Sequence, residues 1–274
     1  MVEILLSTYN GEDYIPALLD SILNQTFSSW ILSIRDDGSS DQTLRILESY
    51  QLRFPERLKI IDSSGVNLGS TRSFSALIEQ SQEAYVMLCD QDDVWLPTKI
   101  EESFNALKGV EKESPGKPCL VFTDLQIVDE NLSVIANSFM ANQKLSPLLV
   151  NDFIKVAALN IVAGCTIIMN RLATRIVAPI PSPEIVHDQW IAVLVAYHGR
   201  ISYYERPTIL YRQHSNNVVG SNQIGVMYFL KKIFFPMKQI VVYHRLLSTM
   251  PIPIPVLKFF YYKLFFSVRR ILNR

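Results

Sequence analysis

The chain has 274 residues, of which 49% are hydrophobic and 19% are charged, and its formal net charge at pH 7 is zero. This length and composition are those of a globular protein that can bury a large core without disulfide bonds. The three cysteines lie far apart among apolar neighbours, which indicates free thiols in a reducing compartment and argues against a disulfide-rich secreted domain. The chain opens on an apolar run rather than on a signal peptide pattern, so we expect a cytoplasmic protein.

The neutral total conceals two oppositely charged parts of the sequence. Residues 1–205 contain all 26 acidic side chains but only 15 of the 26 basic ones, a net charge of −11. Residues 206–274 contain the other 11 basic side chains and no acidic one. This asymmetry predicts two surfaces with different partners. The alternative is a basic tail that packs on an acidic body.

The first ninety residues alternate strand patterns with helix patterns. Four strands are predicted at 2–8, 30–35, 58–61 and 84–89, and three helices near 13–25, across 44–50 and at 71–80. One of Ser39, Ser40 and Asp41 is expected to cap the second helix. Strands that alternate with helices predict an α/β fold with a mostly parallel central sheet.

The rest of the sequence is less regular. Residues 119–128 predict a further strand, and residues 161–169 predict a buried strand or a strand with a turn, whereas residues 108–118 have the pattern of an exposed loop. From about residue 224 the sequence becomes basic, aromatic and helical in pattern. We therefore divide the chain into a domain of residues 1–223 and a helical C-terminal extension of residues 224–274.

Polar clusters follow three of the predicted strands, at Ser7 to Asn10, at Asp36-Asp37 and at Asp90 to Asp93. In open α/β sheets the ligand site forms at the carboxyl ends of the strands. We therefore expect the three clusters to converge at one edge of the sheet.

Asp90-Gln91-Asp92 carries two carboxylates two residues apart, directly after an apolar strand. Both carboxylates can reach one Mg²⁺ or Mn²⁺ ion, which would neutralise charge on a departing diphosphate. Acidic triplets at strand ends are also common as solvated turns, and Asp93 could cap the next helix. The triplet alone leaves these interpretations open.

Three other positions carry candidate chemistry. Asp36-Asp37-Gly38 fits either a contact with a base or ribose or a tight turn. Asp188, near the start of a predicted helix and beside Trp190, is either a helix cap or a general base. Arg212 is a candidate partner of diphosphate oxygens, and His214 is either a metal ligand or an ordinary structural histidine.

The order of these clusters resembles the family 2 glycosyltransferases of the GT-A fold. The resemblance covers roughly residues 2–220, and its last two motifs are similar to the bacterial rhamnosyltransferase-type branch. It rests on Ser7-Thr8-Tyr9-Asn10-Gly11, Asp36-Asp37-Gly38-Ser39-Ser40-Asp41, Asn67-Leu68-Gly69, Asp90-Gln91-Asp92-Asp93, His187-Asp188-Gln189-Trp190 and Tyr211-Arg212-Gln213-His214-Ser215-Asn216-Asn217.

The resemblance implies a Rossmann-like catalytic domain that moves a sugar from a nucleotide-diphosphate donor with inversion at the anomeric carbon. The sugar would be L-rhamnose from dTDP-rhamnose, with galactosyl, glucosyl or N-acetylglucosaminyl nucleotides as alternatives, and the acceptor a cell-surface glycan or a lipid-linked hydroxyl. The general base is expected at Asp188, and Mg²⁺ or Mn²⁺ at Asp92 and His214. The residues expected to bind the donor are Ser7, Tyr9, Asp37, Arg72, Asp90 and Arg212.

The basic tail has no run of the ~20 apolar residues that a membrane-spanning helix requires. Residues 251–268 contain three prolines and two lysines among many aromatic side chains, a pattern typical of a helix that lies on an anionic membrane surface. We expect the tail to hold the protein at the cytoplasmic face of the membrane. The rival is a helical cover on the catalytic domain or on a second copy of the chain in a homodimer.

Other classes of protein fit less well. A sugar nucleotidyltransferase would carry a Gly-rich basic loop after the first strand, and a dinucleotide oxidoreductase would carry G-x-G-x-x-G there; neither pattern is present. A non-catalytic sugar-nucleotide-binding protein would tolerate loss of Asp188 or of the Asp-x-Asp pair, and both are present. Nucleic acid is not an expected partner. The Gln-x-x-Arg-Trp motif of processive synthases is absent, which favours addition of one or a few sugars.

Overall fold

The computed structural model describes residues 1–62, 65–214 and 236–272. The strands are β1 (Val2–Thr8), β2 (Trp30–Asp36), β3 (Leu58–Asp62), β4 (Tyr85–Cys89), β5 (Val94–Trp95), β6 (Cys119–Val128), β7 (Val134–Ala136), β8 (Ile167–Asn170) and β9 (Arg200–Arg212). The helices are α1 (Ile15–Leu23), α2 (Thr43–Arg53), α3 (Ser70–Gln80), α4 (Lys99–Glu113), α5 (Phe139–Asn142), α6 (Phe153–Ala158), α7 (Arg171–Val177), α8 (His187–His198), α9 (Pro236–Thr249) and α10 (Val256–Leu272). Short 3₁₀ helices occur at Pro147–Asn151 and Gly164–Thr166.

The described strands form one sheet in the order β3-β2-β1-β4-β8-β6-β9-β5, and β7 pairs with β6. The first four strands of this order are parallel, as predicted for the first ninety residues. Beyond them the sheet is mixed, because β8 is antiparallel to both β4 and β6, while β6 and β9 are parallel. The predicted α/β fold class is confirmed.

The core lies on both faces of the sheet, since successive side chains of a strand point to opposite faces. Leu5 of β1 packs in the cluster that α3, α6, α7 and α8 cover, whereas Ile4 and Leu6 pack in the cluster that α1, α2 and α4 cover. Helix α8 is apolar around most of its circumference and is correspondingly buried between the sheet and its neighbours. Burial on both faces explains why these strands read as continuous apolar runs.

The predicted exposed loop at 108–118 is wrong. Helix α4 continues to Glu113, with Leu107 and Val110 buried against the sheet, and only residues 114–118 connect it to β6. The charged residues of this stretch are the solvent face of an amphipathic helix, which the nearby Pro115-Gly116 turn made resemble a loop. The segment 161–169 is a turn followed by a strand, one of the two forms expected.

The second helix is not capped as expected. Gln42 occupies the N-cap position of α2 and makes no side-chain cap bond. Asp41 nevertheless accepts a hydrogen bond from the backbone N–H of Thr43 at 3.0 Å, so it satisfies one of the free donors of the first turn from outside the helix.

The described part of the predicted C-terminal extension packs on the rest of the protein. Phe259 of α10 is fully buried, which stabilises the packed state by roughly 1.5–3 kcal/mol. The Lys263 ammonium donates to the Ala158 carbonyl at 2.8 Å, and Arg245 of α9 pairs with Glu184. The predicted domain boundary at 223/224 lies outside the described residues. No helix within the described ranges is long and apolar enough to cross a membrane.

Candidate active site

The three polar clusters do converge at the carboxyl edge of the parallel strands. The loop after β1 is tied to the loop after β2, because Asn10 Oδ1 accepts from the Ser40 N–H at 2.8 Å and the Asn10 N–H donates to Ser39 Oγ at 2.9 Å. The loop after β4 joins them through Gln91, whose amide accepts from the Tyr9 N–H at 2.8 Å and donates to the Tyr9 carbonyl at 3.0 Å.

Gln91 was not singled out from the sequence, although it is the middle residue of Asp-x-Asp. Its side chain packs so closely on the first loop that a Cβ atom at Gly11 would lie 2.6 Å from Gln91 Oε1. Real Cβ atoms do not come this close, so a larger residue at position 11 would displace the Gln91 amide from this contact. Gln91 therefore ties the loop that carries the two aspartates to the first loop.

Three of the residues predicted to bind the donor are accessible at this edge. Ser7 is half-buried near the end of β1, and the side chain of Tyr9 is 49% exposed on the loop that follows. Arg72 is exposed in the first turn of α3 and forms no hydrogen bond or ion pair with any residue that the structure describes. All three side chains are available to a ligand.

Asp37 lies at the same edge but is buried and directed into the protein. Its oxygens accept hydrogen bonds from the Leu68 N–H at 2.7 Å, the Gly69 N–H at 2.8 Å and Ser73 Oγ at 3.0 Å, and it pairs with Arg35. These bonds hold the loop that precedes α3, and Arg72 lies in the first turn of that helix. A direct contact between Asp37 and a nucleotide stays a prediction.

Asp36 closes the turn after β2, as the alternative interpretation of this cluster expected. It accepts from Thr8 Oγ1 at 2.9 Å, from the Ser39 N–H at 2.8 Å and from Ser39 Oγ at 2.7 Å. Gly38 in this turn has φ +82° and lies against the Gly65 carbonyl, so the position favours glycine on both counts.

Asp92 and His214, predicted as metal ligands, lie side by side although 122 residues separate them. Asp92 Oδ2 is 2.9 Å from His214 Nε2, and both side chains are largely buried. The imidazole stacks on the Tyr14 ring at 4.6 Å between centroids, which holds it beside Asp92. A carboxylate oxygen with an imidazole nitrogen suits Mn²⁺, and the carboxylates suit Mg²⁺, so this pair fits a divalent cation.

Arg212, predicted to bind the diphosphate, is buried beneath this pair. Its guanidinium donates to the Asp92 carbonyl at 3.1 Å and to the Glu130 carbonyl at 2.8 Å, and lies 5.3 Å from the Tyr14 ring centroid. It thus holds the backbone of Asp92 in place, and a direct diphosphate contact stays a prediction. Tyr14, which contacts both Arg212 and His214, had no signal in the sequence.

A second group of potential ligands lies deeper, where atoms of Asp90, Asp93 and Cys165 come within 4.8 Å of one another. Burial raises the pKa of the Asp93 carboxyl and of the Cys165 thiol well above their ordinary values, which favours the protonated forms. A thiol is also a poor ligand for a hard cation. This group therefore fits Mg²⁺ or Mn²⁺ less well than Asp92 and His214 do. Asp93 does not cap the next helix, since α4 begins at Lys99.

Asp90 and Asp188 lie at the same edge of the sheet as Asp92 and His214. Removal from water and the charges of Asp92 and Asp188 raise the pKa of Asp90 to about 7. The turn at 164–165 lies between the end of β4 and the start of α8: a Cβ atom at Gly164 would lie 3.7 Å from Asp188 Cβ, and the ligand atoms of Cys165 and Asp90 lie within 4.8 Å of each other. The sequence-predicted base and the Asp-x-Asp element are thus neighbours.

Asp188 is the second residue of α8, so it is not the helix cap, which is Val186. Burial raises the pKa of Asp188 to about 7, against hydrogen bonds from the backbone of Gln189 and Gly164 and from Asn160, which lower it. The Asn160 amide donates to Asp188 Oδ1 at 3.0 Å. A carboxylate that titrates near neutrality suits a general base. Asn160 is a further residue that the sequence did not reveal.

The remaining part of the last motif, Ser215 to Asn217, lies outside the described residues. Within the described ranges, the structure brings Asp90, Asp92, Asp188 and His214 to one edge of the sheet with Ser7, Tyr9 and Arg72 at its accessible side. Such a site has side chains that can bind a cation, side chains that can bind an anionic ligand, and a carboxylate that can accept a proton.

The comparisons with known proteins identify the family of the chain. The model of the family described as "Glycosyl transferase family 2" matches residues 3–112. The chain is 30% identical over 239 residues to the dTDP-rhamnosyl transferase RfbG of Shigella flexneri, covering 79% of this chain and 74% of RfbG.

Two solved structures are similar in fold. TarS 1–349 from S. aureus in complex with UDP-GlcNAc gives a TM-score of 0.59 at 19% identity, covering 85% of this chain and 64% of that one. The mannosyltransferase PcManGT from Pyrobaculum calidifontis, in complex with GDP-Man and Mn²⁺, gives a TM-score of 0.60 at 14% identity. The match covers 79% of this chain and 58% of PcManGT. This chain spans less than two thirds of either structure. With the likeness to RfbG over most of both chains, these matches establish that the chain belongs to glycosyl transferase family 2 and has the GT-A fold.

Proposed function

We propose that this family 2 glycosyltransferase moves L-rhamnose from dTDP-L-rhamnose to a hydroxyl of a cell-surface glycan or lipid-linked acceptor, with inversion at the anomeric carbon. One observation carries the proposal: the Asp92–His214 pair and Asp188 lie around Asp90 at the carboxyl edge of the sheet. The rhamnosyl donor is supported by the likeness to RfbG.

Asp92 and His214 would hold the Mg²⁺ or Mn²⁺ ion, since the 2.9 Å separation of their ligand atoms brings both to one position. When bound, the ion supplies charge neutralisation for the departing diphosphate. Tyr14 and Arg212 keep the two ligands in place from below. The exposed Arg72 guanidinium pairs with phosphate oxygens of the donor.

Asp188 accepts the proton of the acceptor hydroxyl, because its pKa near 7 leaves a large ionised fraction at neutral pH while giving it useful basicity. The hydroxyl oxygen forms a bond to the anomeric carbon as the bond from that carbon to the diphosphate oxygen breaks. The nucleoside diphosphate leaves with the electron pair from the opposite face. Each turnover therefore inverts the anomeric configuration.

The test is a donor panel that measures release of the nucleoside diphosphate with Mn²⁺, with Mg²⁺ and with EDTA. The panel includes dTDP-rhamnose and the galactosyl, glucosyl and N-acetylglucosaminyl nucleotides. Turnover of dTDP-rhamnose that is lost with EDTA, in Asp92→Asn and in Asp188→Asn is the expected result. Preference for another sugar refutes the rhamnosyl assignment, and failure of every donor to bind with metal refutes the transferase mechanism.

We further propose that α10 holds the enzyme on the anionic cytoplasmic face of the membrane, next to a lipid-linked acceptor. The inner side of α10 packs on the protein, but its outer side leaves Leu257 87%, Tyr261 62% and Leu264 67% exposed. Lys258 and Arg269 are exposed on the same helix, and the chain has no acidic residue after Glu205. Apolar and basic side chains together are the composition of an interfacial helix.

Sedimentation with vesicles tests this surface. Leu257→Ser with Leu264→Ser is expected to abolish binding to phosphatidylglycerol vesicles, and phosphatidylcholine vesicles are expected to bind the unaltered chain weakly. Leu52→Ser, at a position 84% exposed on α2, is the matched control and should bind normally. Unchanged binding of the double variant refutes the membrane surface. A change from dimer to monomer in light scattering, without a change in vesicle binding, assigns the face to a homodimer.

A further inference from the structure

Asn160 lies between α6 and the 3₁₀ helix at 164–166, in a segment that no sequence motif marks. Its side-chain oxygen accepts from the Val162 N–H at 3.1 Å, and its Nδ2 donates to the Val162 carbonyl at 3.0 Å. The same Nδ2 donates to Asp188 Oδ1 at 3.0 Å. Both ends of the amide are thus engaged.

These bonds determine which way the Asn160 amide faces. The Val162 N–H can only donate, so it requires the amide oxygen on its side and leaves the NH₂ group facing Asp188. The two bonds to Val162 also keep the amide from rotating away. A fixed donor is therefore aimed at the carboxylate before any substrate arrives.

The backbone around Asp188 is held by other contacts. Gln189 Nε2 donates to the Ala157 carbonyl at 2.7 Å, and the His187 ring stacks on Phe74 with centroids 4.4 Å apart. A Cβ atom at Gly164 would lie 2.8 Å from His187 Nε2, so this turn packs directly on the start of α8. The Asp188 carboxylate also accepts hydrogen bonds from the backbone of Gln189 and Gly164, so Asn160 adds a side-chain donor to a carboxylate that is held in a fixed frame.

Asn160 makes the one side-chain hydrogen bond to Asp188 among the described residues. We propose that Asn160 is a positioning residue that fixes the rotation of the Asp188 carboxylate for proton transfer from the acceptor. The inference rests on the proposed role of Asp188 as general base. Asn160 itself takes no part in bond making, and its effect reaches the reaction through Asp188 alone.

Two variants distinguish the hydrogen bond that Asn160 donates to Asp188 from the bonds that it makes to Val162. Asn160→Ala removes the donor and both bonds to Val162, whereas Asn160→Asp keeps the size and an acceptor for the Val162 N–H but has no donor when ionised. Both are expected to lower kcat by roughly 10–100-fold, the range that a small misplacement of a catalytic group costs. The donor KM and the Mn²⁺ affinity are expected to stay unchanged, since the Asn160 side chain bonds, among the described residues, to Val162 and Asp188. Asn142→Ala, at an exposed position on α5, is the control and should retain kcat.

A double-mutant cycle distinguishes positioning from a structural role. If Asn160 acts through Asp188, Asn160→Ala should cost less than about twofold in the Asp188→Asn background, because the base that Asn160 positions is already removed. Equal losses in both backgrounds overturn the inference, as does an unchanged kcat in both Asn160 variants. If Asp188→Asn retains the activity, or if the unaltered chain turns over no donor, the proposed function itself fails and the inference fails with it. Melting temperatures of the variants show that each one is folded.

Discussion

Asp188→Asn is expected to make the protein more stable while it removes the base. Burial raises the pKa of Asp188 to about 7 from the ordinary 3.8, so the folded chain resists ionisation of this carboxyl. Above pH 7 the carboxylate is charged in the folded and in the unfolded chain. Burying this charge then destabilises the folded chain. Asparagine is neutral at every pH and still offers an oxygen to the Asn160 donor.

The size of the gain in stability follows from how far burial raises the pKa of Asp188. About three pKa units at about 1.4 kcal/mol each set an upper limit of roughly 4 kcal/mol. Asp188 is partly exposed, so solvent screening reduces this to about 2 kcal/mol. For a chain of this size, that corresponds to a rise in Tm of roughly 4–8 °C.

The gain in stability from Asp188→Asn depends on pH between the pKa values of the unfolded and the folded chain. Below pH 4 the carboxyl is protonated in the folded and unfolded states, and the variant gains nothing from this group. Between pH 4 and pH 7 the folded state holds more protons than the unfolded state, so the stability of the unaltered chain falls as pH rises. The gain from Asp188→Asn therefore grows through this window and is complete above pH 7.

Thermal melts at pH 5 and pH 8.5 in EDTA measure this difference. The Tm of Asp188→Asn should exceed that of the unaltered chain at pH 8.5, and the gap should narrow at pH 5. Asp13→Asn, at an exposed carboxylate, is the control and should change Tm little at either pH. A Tm gap that is absent, reversed or equal at both pH values would refute the reasoning.

Three further predictions concern other parts of the site. Asp92→Asn and His214→Ala should each weaken Mn²⁺ binding in calorimetric titration by at least the roughly 10–100-fold that loss of an outer-shell partner costs, and unaltered affinity would remove the pair as ligands. Gly164→Ala puts a Cβ atom 2.8 Å from His187 Nε2, so it should cost about 1–3 kcal/mol of stability and lower kcat; an unchanged Tm would contradict this packing. Arg72→Ala should raise the donor KM about tenfold without changing Tm, because the side chain is exposed and bonds to no described residue. A lower Tm with an unchanged KM would instead make Arg72 structural.

Local patterns in the sequence predicted the N-terminal half well. The apolar runs of β1, β2 and β4 were recognised because both faces of these strands are buried, and the stripe of α1 was recognised from its helical spacing. The expectation that Asp36-Asp37 and Asp90 to Asp93 meet at one edge needed only the parallel order of the strands. The resemblance to family 2 glycosyltransferases then supplied roles for Asp188 and His214.

Local patterns were insufficient where a side chain has a distant partner. Asp37 and Arg212 show a charge in the sequence, but their bonds to the 68–69 backbone and to the Asp92 and Glu130 carbonyls exist only in the fold. The same holds for β8, whose antiparallel pairing with β4 and β6 no local pattern encodes.

Periodicity and the order of motifs along the chain were sufficient to predict the fold class, the family and the carboxylates at the strand ends. Which polar groups face the accessible edge and which hold the site together depends on contacts that exist only in the folded chain. Gln91, Tyr14 and Asn160 gained their roles from contacts with Tyr9, His214 and Asp188, residues 82, 200 and 28 positions away. A hydrogen bond or a ring stack acts over a few ångströms in space, and only the packed sheet and helices bring such distant residues within that range.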